Sequence, residues 1–280
     1  MARGDAVIAN SYFTARLIAD RYGTPERKIT VIQRGFDPRI FEPALITPAR
    51  VAAVRLSWGV RPEDRIILHP ARLTSWKGQA VLIEAAARLA AQGHLGTAVV
   101  VLAGDPQGRT RYLATLQDQI ASLGLRERVR LVGHVEDIAA AYLAVHVTII
   151  ASTDPEAFGR TAIEAAAMGC PVIATAIGAP PETVLAEPSV PTDGITGWLV
   201  PPGDREALAD RLGAALTMSD VLRQEIGARA RRHVQANFTV AGMQRQTLAV
   251  YDRLLGSGLE RRFADQPAPG APTGVFPLQS

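Results

Sequence analysis

Cysteine is almost absent from this sequence, and no cysteine or histidine is spaced as a metal ligand. The single cysteine among 280 residues, Cys170, cannot form an internal disulfide and lies between Gly169 and Pro171. A lone thiol in that setting is more typical of a small buried residue than of a nucleophile. We therefore expect a cytoplasmic protein without a protein-bound metal. The histidines are His69, His94, His134, His146 and His233.

Long apolar runs and an excess of one charge are also missing. The stretch from Ile138 to Ala151 lacks charged side chains, but its 14 residues are too few for a membrane span and include His146. The N-terminus has no long apolar stretch of the kind found in signal peptides. With 30 basic and 27 acidic residues, the net charge is only +3 and forms no basic block. Nucleic acid is therefore not an expected partner.

The chain does have enough apolar residues, 48% of its length, to build a large folded domain. Short β-branched apolar runs alternate with stretches of helical period, which predicts an α/β domain with a doubly wound parallel sheet at about 46–236. The expected strands are 66–68, 98–103, 129–132, 145–151, 171–175 and 198–200. The expected helices are 78–91, 109–123, 137–143, 160–168, 179–185, 204–216 and 220–235.

Shorter segments flank this domain. Residues 1–45 contain an expected strand at 6–9, a helix at 14–22 and a strand at 29–32, too few elements to bury their own faces. In the segment 237–260, Thr239 is the expected cap of a helix that reaches Leu255. The segment 261–280 contains four prolines and is expected to be a disordered tail.

Two cations stand in the loop after the first strand of the main domain, where ligands of open parallel sheets bind. Arg72 and Lys77 lie five residues apart at the start of a helix, and Lys77 is one of only two lysines in an arginine-rich chain. A guanidinium and an ammonium beside a helix N-terminus would bind a phosphate or diphosphate. The alternative is two solvated surface cations. Neither a Walker loop nor a dinucleotide fingerprint is present.

Two glutamates stand in the loop and helix after the fourth strand. Glu156 precedes Phe158, Gly159 and Arg160, whose backbone amides would point into the same crevice. Glu164 is surrounded by apolar residues, so its carboxylate needs a hydrogen-bonding partner such as a diol. A capping carboxylate and a helix-surface glutamate are the alternative interpretation.

These residues resemble the C-terminal half of retaining GT-B glycosyltransferases of family 4. The resemblance runs from about residue 5 to residue 255 and rests on several motifs in a fixed order. They are RL-x-x-x-KG at 72–78, LVGHV at 131–135, E-x7-E at 156–164 inside EAFGRTAIEA, MGCPVIAT at 168–175, the segment 178–182, and TGWLVPPGD at 196–204.

The resemblance implies roles for the matching positions. Arg72 and Lys77 would hold the donor diphosphate and stabilise the leaving nucleotide, so they and Glu156 are the expected catalytic residues. Glu156 would contact sugar hydroxyls, and Glu164 would bind the ribose diol. The remaining substrate-binding positions are Phe158, Gly159 and Arg160 through their amides, and Gly133 and Val135 through backbone contact with the base.

The family's architecture implies that this chain lacks a part. Residues 1–45 would be a remnant of the N-terminal Rossmann-like domain and hinge, and the rest of that acceptor-binding half would be a missing partner. Two departures, Ala71 and Ala179 where the family often has glycine, would narrow the pocket.

The implied function is transfer of a hexosyl group, with retention, from a UDP- or GDP-sugar. The expected acceptor is a glycan or glycolipid of cell-envelope polysaccharide or lipopolysaccharide synthesis, with the protein cytoplasmic or peripheral on the inner membrane face. An alternative is a non-catalytic nucleotide-sugar-binding fragment without the acceptor domain. Nucleotide-sugar epimerases share the GT-B fold, but the E-x7-E spacing argues against that activity.

Overall fold

The computed structural model describes residues 4–264, which form two parallel sheets and eleven α-helices. The strands are β1 (Val7–Ala9), β2 (Ile29–Val31), β3 (Ile66–Pro70), β4 (Val99–Ala103), β5 (Val129–Gly133), β6 (Val147–Ile150), β7 (Val172–Thr175) and β8 (Gly197–Val200). The helices are α1 (Tyr12–Tyr22), α2 (Pro48–Ser57), α3 (Gln79–Ala91), α4 (Thr110–Ser122), α5 (Ile138–Ala144), α6 (Arg160–Ala167), α7 (Pro180–Thr183), α8 (Arg205–Thr217), α9 (Asp220–Asn237), α10 (Val240–Leu255) and α11 (Leu259–Ala264).

The larger sheet has six parallel strands in the order β5-β4-β3-β6-β7-β8. Chain order reverses direction between β3 and β6, which makes their carboxyl ends the switch point where ligands of open α/β sheets bind. This arrangement confirms the predicted doubly wound α/β class, and all six expected strands of the main domain are present.

Helices cover both faces of the sheet, and neighbouring residues of each strand point to opposite faces. Ile66 and Leu68 pack into one apolar layer with residues of α5 and α6. Ile67 points into the other layer, with residues of α3 and α8. All three side chains are fully buried. Coverage of both faces explains why the strands are apolar at nearly every position.

The N-terminal strand-helix-strand forms a small sheet of its own, in which β1 and β2 pair in parallel. Ser11 caps α1 and also donates a hydrogen bond of 2.7 Å from its hydroxyl to the carbonyl of Ala157. The carboxylate of Glu182 accepts from the backbone N–H groups of Tyr12 and Phe13 at 2.9 and 2.7 Å. A carboxylate suits the positive end of a helix, so these contacts hold the segment against the main domain.

Helix α2 is an element that the sequence analysis did not expect. Its start has the usual chemistry: the Thr47 side chain caps the helix and Pro48 occupies its first position. Val54 and Trp58 at its other end are buried in the core. A cap followed by proline was the signal that could have revealed it.

The C-terminal segment corrects one expectation. Thr239 caps α10 as predicted, but the tail expected to be disordered from residue 261 is helical over 261–264, within α11. The physical reason is a cap: the Asp252 carboxylate accepts from the backbone N–H groups of Leu259 and Glu260 at 2.6 and 2.8 Å. The rest of the expected tail, 265–280, lies outside the described residues.

Within residues 4–264, no helix combines the length and the apolar character needed to cross a membrane. The same residues contain no group of three or more His, Cys, Asp or Glu side chains close enough to hold a metal ion.

Candidate functional site

A cavity of about 300 Å³ opens at the carboxyl ends of β3 and β6, where the ligand site is expected. Loops after these two strands form most of its wall, and the N-terminal segment supplies the remainder. The lining residues are Asn10, Arg34, His69, Pro70, Ala71, Lys77, Ile149, Ile150, Ser152, Glu156, Ala157, Phe158, Gly159, Arg160 and Thr161.

An ion pair between Lys77 and Glu156 forms the centre of this cavity. The Lys77 ammonium contacts the Glu156 carboxylate directly, and the two side chains are only 17% and 11% exposed. The hydroxyl of Ser152 donates to the same carboxylate at 2.6 Å. The Lys77 nitrogen also lies 4.2 Å from the ring centre of Trp76, within range for a cation–π interaction. These contacts hold the ammonium at the floor of the cavity.

The two loops that carry this pair are tied to one another through the backbone. Gly78, which has a φ of 74°, packs so closely against Ala151 that a Cβ would lie 1.8 Å from the Ala151 carbonyl oxygen. The N–H of Thr153 donates to the carbonyl of Trp76 at 2.8 Å. Only glycine permits this approach, so the sequence Lys77-Gly78 fixes the loop after β3 against the loop after β6.

A third loop, after β7, fixes the backbone of Glu156. Gly178 forms a parallel bridge with Glu156, and the N–H of Ala179 donates to the Glu156 carbonyl at 2.9 Å. A Cβ at Gly178 would lie 2.4 Å from that carbonyl oxygen. The Ala179 methyl group, which departs from the family pattern, is fully buried. The carboxylate is therefore aimed by backbone contacts from two neighbouring loops.

The N-terminus of α6 forms another wall of the cavity. Gly159 adopts a φ of 78° and precedes the helix without any side-chain cap, so the first amides face the cavity side with their partial positive charge. The Phe158 side chain is buried against Phe238, at 6.1 Å between ring centres. The backbone of the Phe158-Gly159-Arg160 segment thus remains available for a ligand.

Glu164 lies one turn into α6 and has partners of its own. Its carboxylate accepts from the Arg160 guanidinium at 2.9 Å and from the Tyr142 hydroxyl. Burial raises the pKa of Glu164, while Arg160 opposes that shift. The pKa of Tyr142 is raised well above its usual value by burial. Glu164 lies outside the cavity lining and would need to exchange Arg160 for a ligand hydroxyl.

The other predicted residues lie farther from the centre. Arg72 follows the lining residue Ala71 but is exposed, and its guanidinium reaches Gln107 at 3.5 Å. Gly133 ends β5, two strands away from β3. Val135 lines a separate cavity of about 410 Å³ together with Trp58 and other residues. The structure thus brings Lys77, Glu156, Phe158, Gly159 and Arg160 together, and leaves Arg72, Glu164, Gly133 and Val135 outside this lining.

The lining also includes Arg34, Asn10 and His69, which were not among the predicted site residues. Arg34 and Asn10 come from the N-terminal segment, distant in sequence from the motifs. His69 is 1% exposed, and its Nδ1 lies 2.8 Å from the carbonyl oxygen of Ile149, so Nδ1 carries a proton. Burial lowers the pKa of His69. A polar residue inside an otherwise apolar strand was the signal for His69, but the sequence offered none for the other two.

Comparison with known proteins identifies the family. Residues 53–233, well over half of the chain, match the family described as "Glycosyl transferases group 1". Residues 1–40 match the family described as "Glycosyltransferase Family 4". This chain belongs to the group 1 glycosyl transferases. The matched region contains the Lys77–Glu156 centre and all six strands of the larger sheet.

The curated relatives extend well beyond the region that aligns with this chain. The D-inositol 3-phosphate glycosyltransferase of Geodermatophilus obscurus is 32% identical over 241 residues, which are 84% of this chain and 50% of that protein. The protein of the same name from Kineococcus radiotolerans is 32% identical over 267 residues, 93% of this chain and 60% of that protein. The chain thus spans between half and three fifths of these relatives.

Solved glycosyltransferase structures share the fold. A glycosyltransferase from Rickettsia africae ESF-5 has a TM-score of 0.84 and 33% identity, covering 91% of this chain and 65% of that one. Anabaena Alr3699/HepE in complex with UDP-glucose has a TM-score of 0.78 and 28% identity, covering 89% of this chain and 64% of that one. The Rossmann-like α/β domain of this protein is therefore that of the GT-B glycosyltransferases.

Proposed function

We propose that this chain is the donor-binding part of a retaining glycosyltransferase that moves a hexosyl group from a UDP- or GDP-sugar to an acceptor hydroxyl. The observation that carries the proposal is the Lys77–Glu156 pair at the sheet's switch point, beside the uncapped N-terminus of α6. A cation and free helix amides around one small cavity suit a diphosphate. The Anabaena neighbour that holds UDP-glucose supports the choice of donor.

In this proposal each residue acts on a different part of the donor. Lys77 and the α6 amides bind the diphosphate and stabilise the negative charge that develops on the leaving nucleotide, with Arg72 turning inward to assist. Glu156 orients Lys77 and accepts from hydroxyls of the transferred sugar. Glu164 accepts from the ribose diol, and the loop at Gly133 and Val135 receives the base. No resident metal or cofactor is assigned a role.

The acceptor is proposed at the level of its class. A glycan or glycolipid of cell-envelope synthesis, reached from the cytoplasm or the inner membrane face, is the acceptor that the family resemblance implies. The curated relatives are named for inositol 3-phosphate, which supports a second acceptor class, a phosphorylated polyol. Both classes present the hydroxyl that a glycosyltransferase requires.

Two measurements test the proposal. Isothermal calorimetry with UDP and GDP should show binding by the wild-type chain, and Glu164→Ala should weaken it by about 1–3 kcal/mol, the usual loss for one partner of a buried polar contact. Incubation with UDP-glucose or GDP-mannose and each acceptor class should release the nucleoside diphosphate and yield a product with the donor's anomeric configuration. Absence of nucleotide binding would reject the site itself.

A non-catalytic nucleotide-sugar-binding protein is the second candidate function. It requires only the donor-binding residues around the Lys77–Glu156 pair and no bound acceptor. Nucleotide binding without release of nucleoside diphosphate would support it, if the result is the same for this chain alone and for this chain mixed with an N-terminal half taken from a relative.

A further inference from the structure

The N-terminal segment supplies one wall of the cavity, and two polar residues on that wall have no assigned role. Arg34 follows β2 and Asn10 follows β1, so both lie at the carboxyl ends of the small parallel sheet. They face the Lys77 side of the cavity from a different part of the chain.

The backbone around Arg34 is fixed on both sides. Before it, the N–H of Ile32 donates to Ala9 at 2.8 Å, and the Gln33 side-chain amide donates to Glu182 at 3.1 Å. After it, Gly35 packs so closely against Thr239 that a Cβ would lie 2.2 Å from the Thr239 backbone. The side chain of Arg34 therefore projects from a rigid base.

The charge of Arg34 is unpaired in residues 4–264. The other two cations of the lining have carboxylate partners, since Lys77 pairs with Glu156 and Arg160 with Glu164. Arg34 is exposed and has no hydrogen bond or ion pair within the described part of the chain. An arginine presents a planar fork of donors that matches the oxygens of a phosphate or carboxylate, so this side chain is free to bind one.

Asn10 supplies a second polar group on this wall. Its Oδ1 is buried and lacks a hydrogen-bond partner among the described residues. The neighbouring Ser11 and Tyr12 are held by Ala157 and Glu182, which fixes Asn10 in place. A buried acceptor without a donor costs free energy unless a ligand satisfies it.

We propose that Arg34 and Asn10 form a substrate-binding pair on this wall. Arg34 binds an anionic oxygen group, a phosphate or a carboxylate, and the Asn10 Oδ1 accepts a hydrogen bond from a nearby hydroxyl of the substrate. The inference rests on the proposed function, in which a sugar nucleotide occupies the Lys77 side. The anionic group then comes from one of two sources, the diphosphate of the donor or an acidic group on the acceptor.

Binding experiments on the whole chain distinguish the two sources. Arg34→Gln removes the charge, Arg34→Lys keeps the charge without the fork, and Arg21→Gln is the matched control, an exposed arginine on α1 without an ion pair within residues 4–264. One titration uses UDP alone. The other uses inorganic phosphate in the presence of saturating UDP, so that the donor diphosphate site is already filled.

Arg34→Gln should lose about tenfold or more in affinity in one of the two titrations, while Arg21→Gln matches the wild type and Arg34→Lys lies between them. A loss for phosphate alone identifies the acceptor as the source, and a loss for UDP identifies the donor. Two results would overturn the proposal. In the first, Arg34→Gln and Arg21→Gln have equal affinities in both titrations. In the second, the wild type binds no phosphate and Arg34→Gln has an unchanged affinity for UDP.

Failure of the proposed function gives a different result. In that case the wild-type chain itself would bind no UDP, and the phosphate titration without UDP would still compare Arg34→Gln with Arg21→Gln. A tenfold difference there supports the anion site independently of the nucleotide, and equal affinities reject it.

Discussion

Lys77 and Glu156 lie 79 positions apart in sequence, yet their side chains meet as an ion pair with little exposure to solvent. The contact forms because the sheet places the loops after β3 and β6 side by side, and Gly78 lets those loops touch. A charge so enclosed needs its partner, because either group alone would be desolvated without compensation. The pair therefore helps to hold the two loops together.

Neutralising the carboxylate of this pair should destabilise the protein. We expect Glu156→Gln to lower the free energy of unfolding by about 1–3 kcal/mol, because Lys77 remains partly buried without an opposite charge. Urea denaturation measures the change. The control is Glu127→Gln, since Glu127 is 92% exposed and lies 3.7 Å from Arg130; it should change stability by less than about 0.5 kcal/mol. Equal effects of the two substitutions would show that the Lys77–Glu156 contact contributes nothing.

A methyl group at Gly178 should disturb the backbone of Glu156. Gly178 and Gly93 have similar left-handed conformations, with φ of 79° and 72°, but only Gly178 has backbone atoms where a Cβ would stand. Gly93→Ala should therefore lower the free energy of unfolding by about 1–2 kcal/mol, because of the backbone conformation alone. Gly178→Ala should lower it by a further ~1–3 kcal/mol, because the methyl group would be crowded by backbone atoms. Denaturation midpoints of the two variants give the difference, and identical values would mean that the loop moves aside freely.

Removal of the Glu182 carboxylate should loosen the N-terminal segment. Glu182→Ala leaves the amides of Tyr12 and Phe13 and the Gln33 side chain without their acceptor. Amide hydrogen exchange should then become faster across α1. The free energy of local opening should fall by about 1–3 kcal/mol, the usual contribution of hydrogen bonds to a charged group. Glu26→Ala, at an exposed position in the same segment, is the control. If both variants exchange alike, the segment is held by apolar packing instead.

Protonation of His146 should destabilise the fold in mild acid. The imidazole Nδ1 accepts from the Ile66 N–H at 3.2 Å, and burial, aided by the charge of Arg223, lowers the pKa of His146 to about 4. An unfolded chain has the ordinary histidine pKa of about 6.5, so it binds the proton first as pH falls. The stabilisation is complete above pH 6.5 and is lost between about pH 6.5 and 4.

Chemical denaturation across that pH range tests this dependence. Protonation of His146 should lower the free energy of unfolding by about 1 kcal/mol after solvent screening. The substitution His146→Asn keeps an acceptor that does not titrate, so this pH-dependent decrease should be absent in that variant. His94→Asn, at an exposed position, should leave the slope as in the wild type. A slope that survives in His146→Asn would assign the acid sensitivity to other groups.

The sequence was sufficient to predict most of the fold, because buried parallel strands are apolar on both faces and stand out against the amphipathic helices. Ile66–Pro70 and Val99–Ala103 are such strands, and even their ends are close to the predicted ones. Helix α2 was missed because its pattern is weak, and only Val54 is buried within it. Helix α11 depends on the side chain of Asp252, a contact that no local pattern reveals.

The site could be predicted only where its residues belong to strand-end motifs. Lys77 and Glu156 follow neighbouring strands, so topology alone brings them together. The directions of side chains were not predictable: Arg72 points toward Gln107, and Glu164 pairs with Arg160. The contribution of Arg34 depends on how the N-terminal segment docks, through contacts such as that between Gln33 and Glu182, 149 positions apart.

The function proposed for the cavity requires that the Lys77 ammonium binds the diphosphate of a sugar nucleotide. The chain contains one other lysine, Lys28, which contacts the Gly4 carbonyl at 3.4 Å and lies outside the cavity lining, and it provides a matched control. Calorimetric titration with UDP should show Lys77→Met weakened by about 1–3 kcal/mol, which is roughly 5- to 150-fold, and Lys28→Met unchanged. Equal UDP affinity in Lys77→Met, Lys28→Met and the wild type would show that Lys77 does not bind the diphosphate.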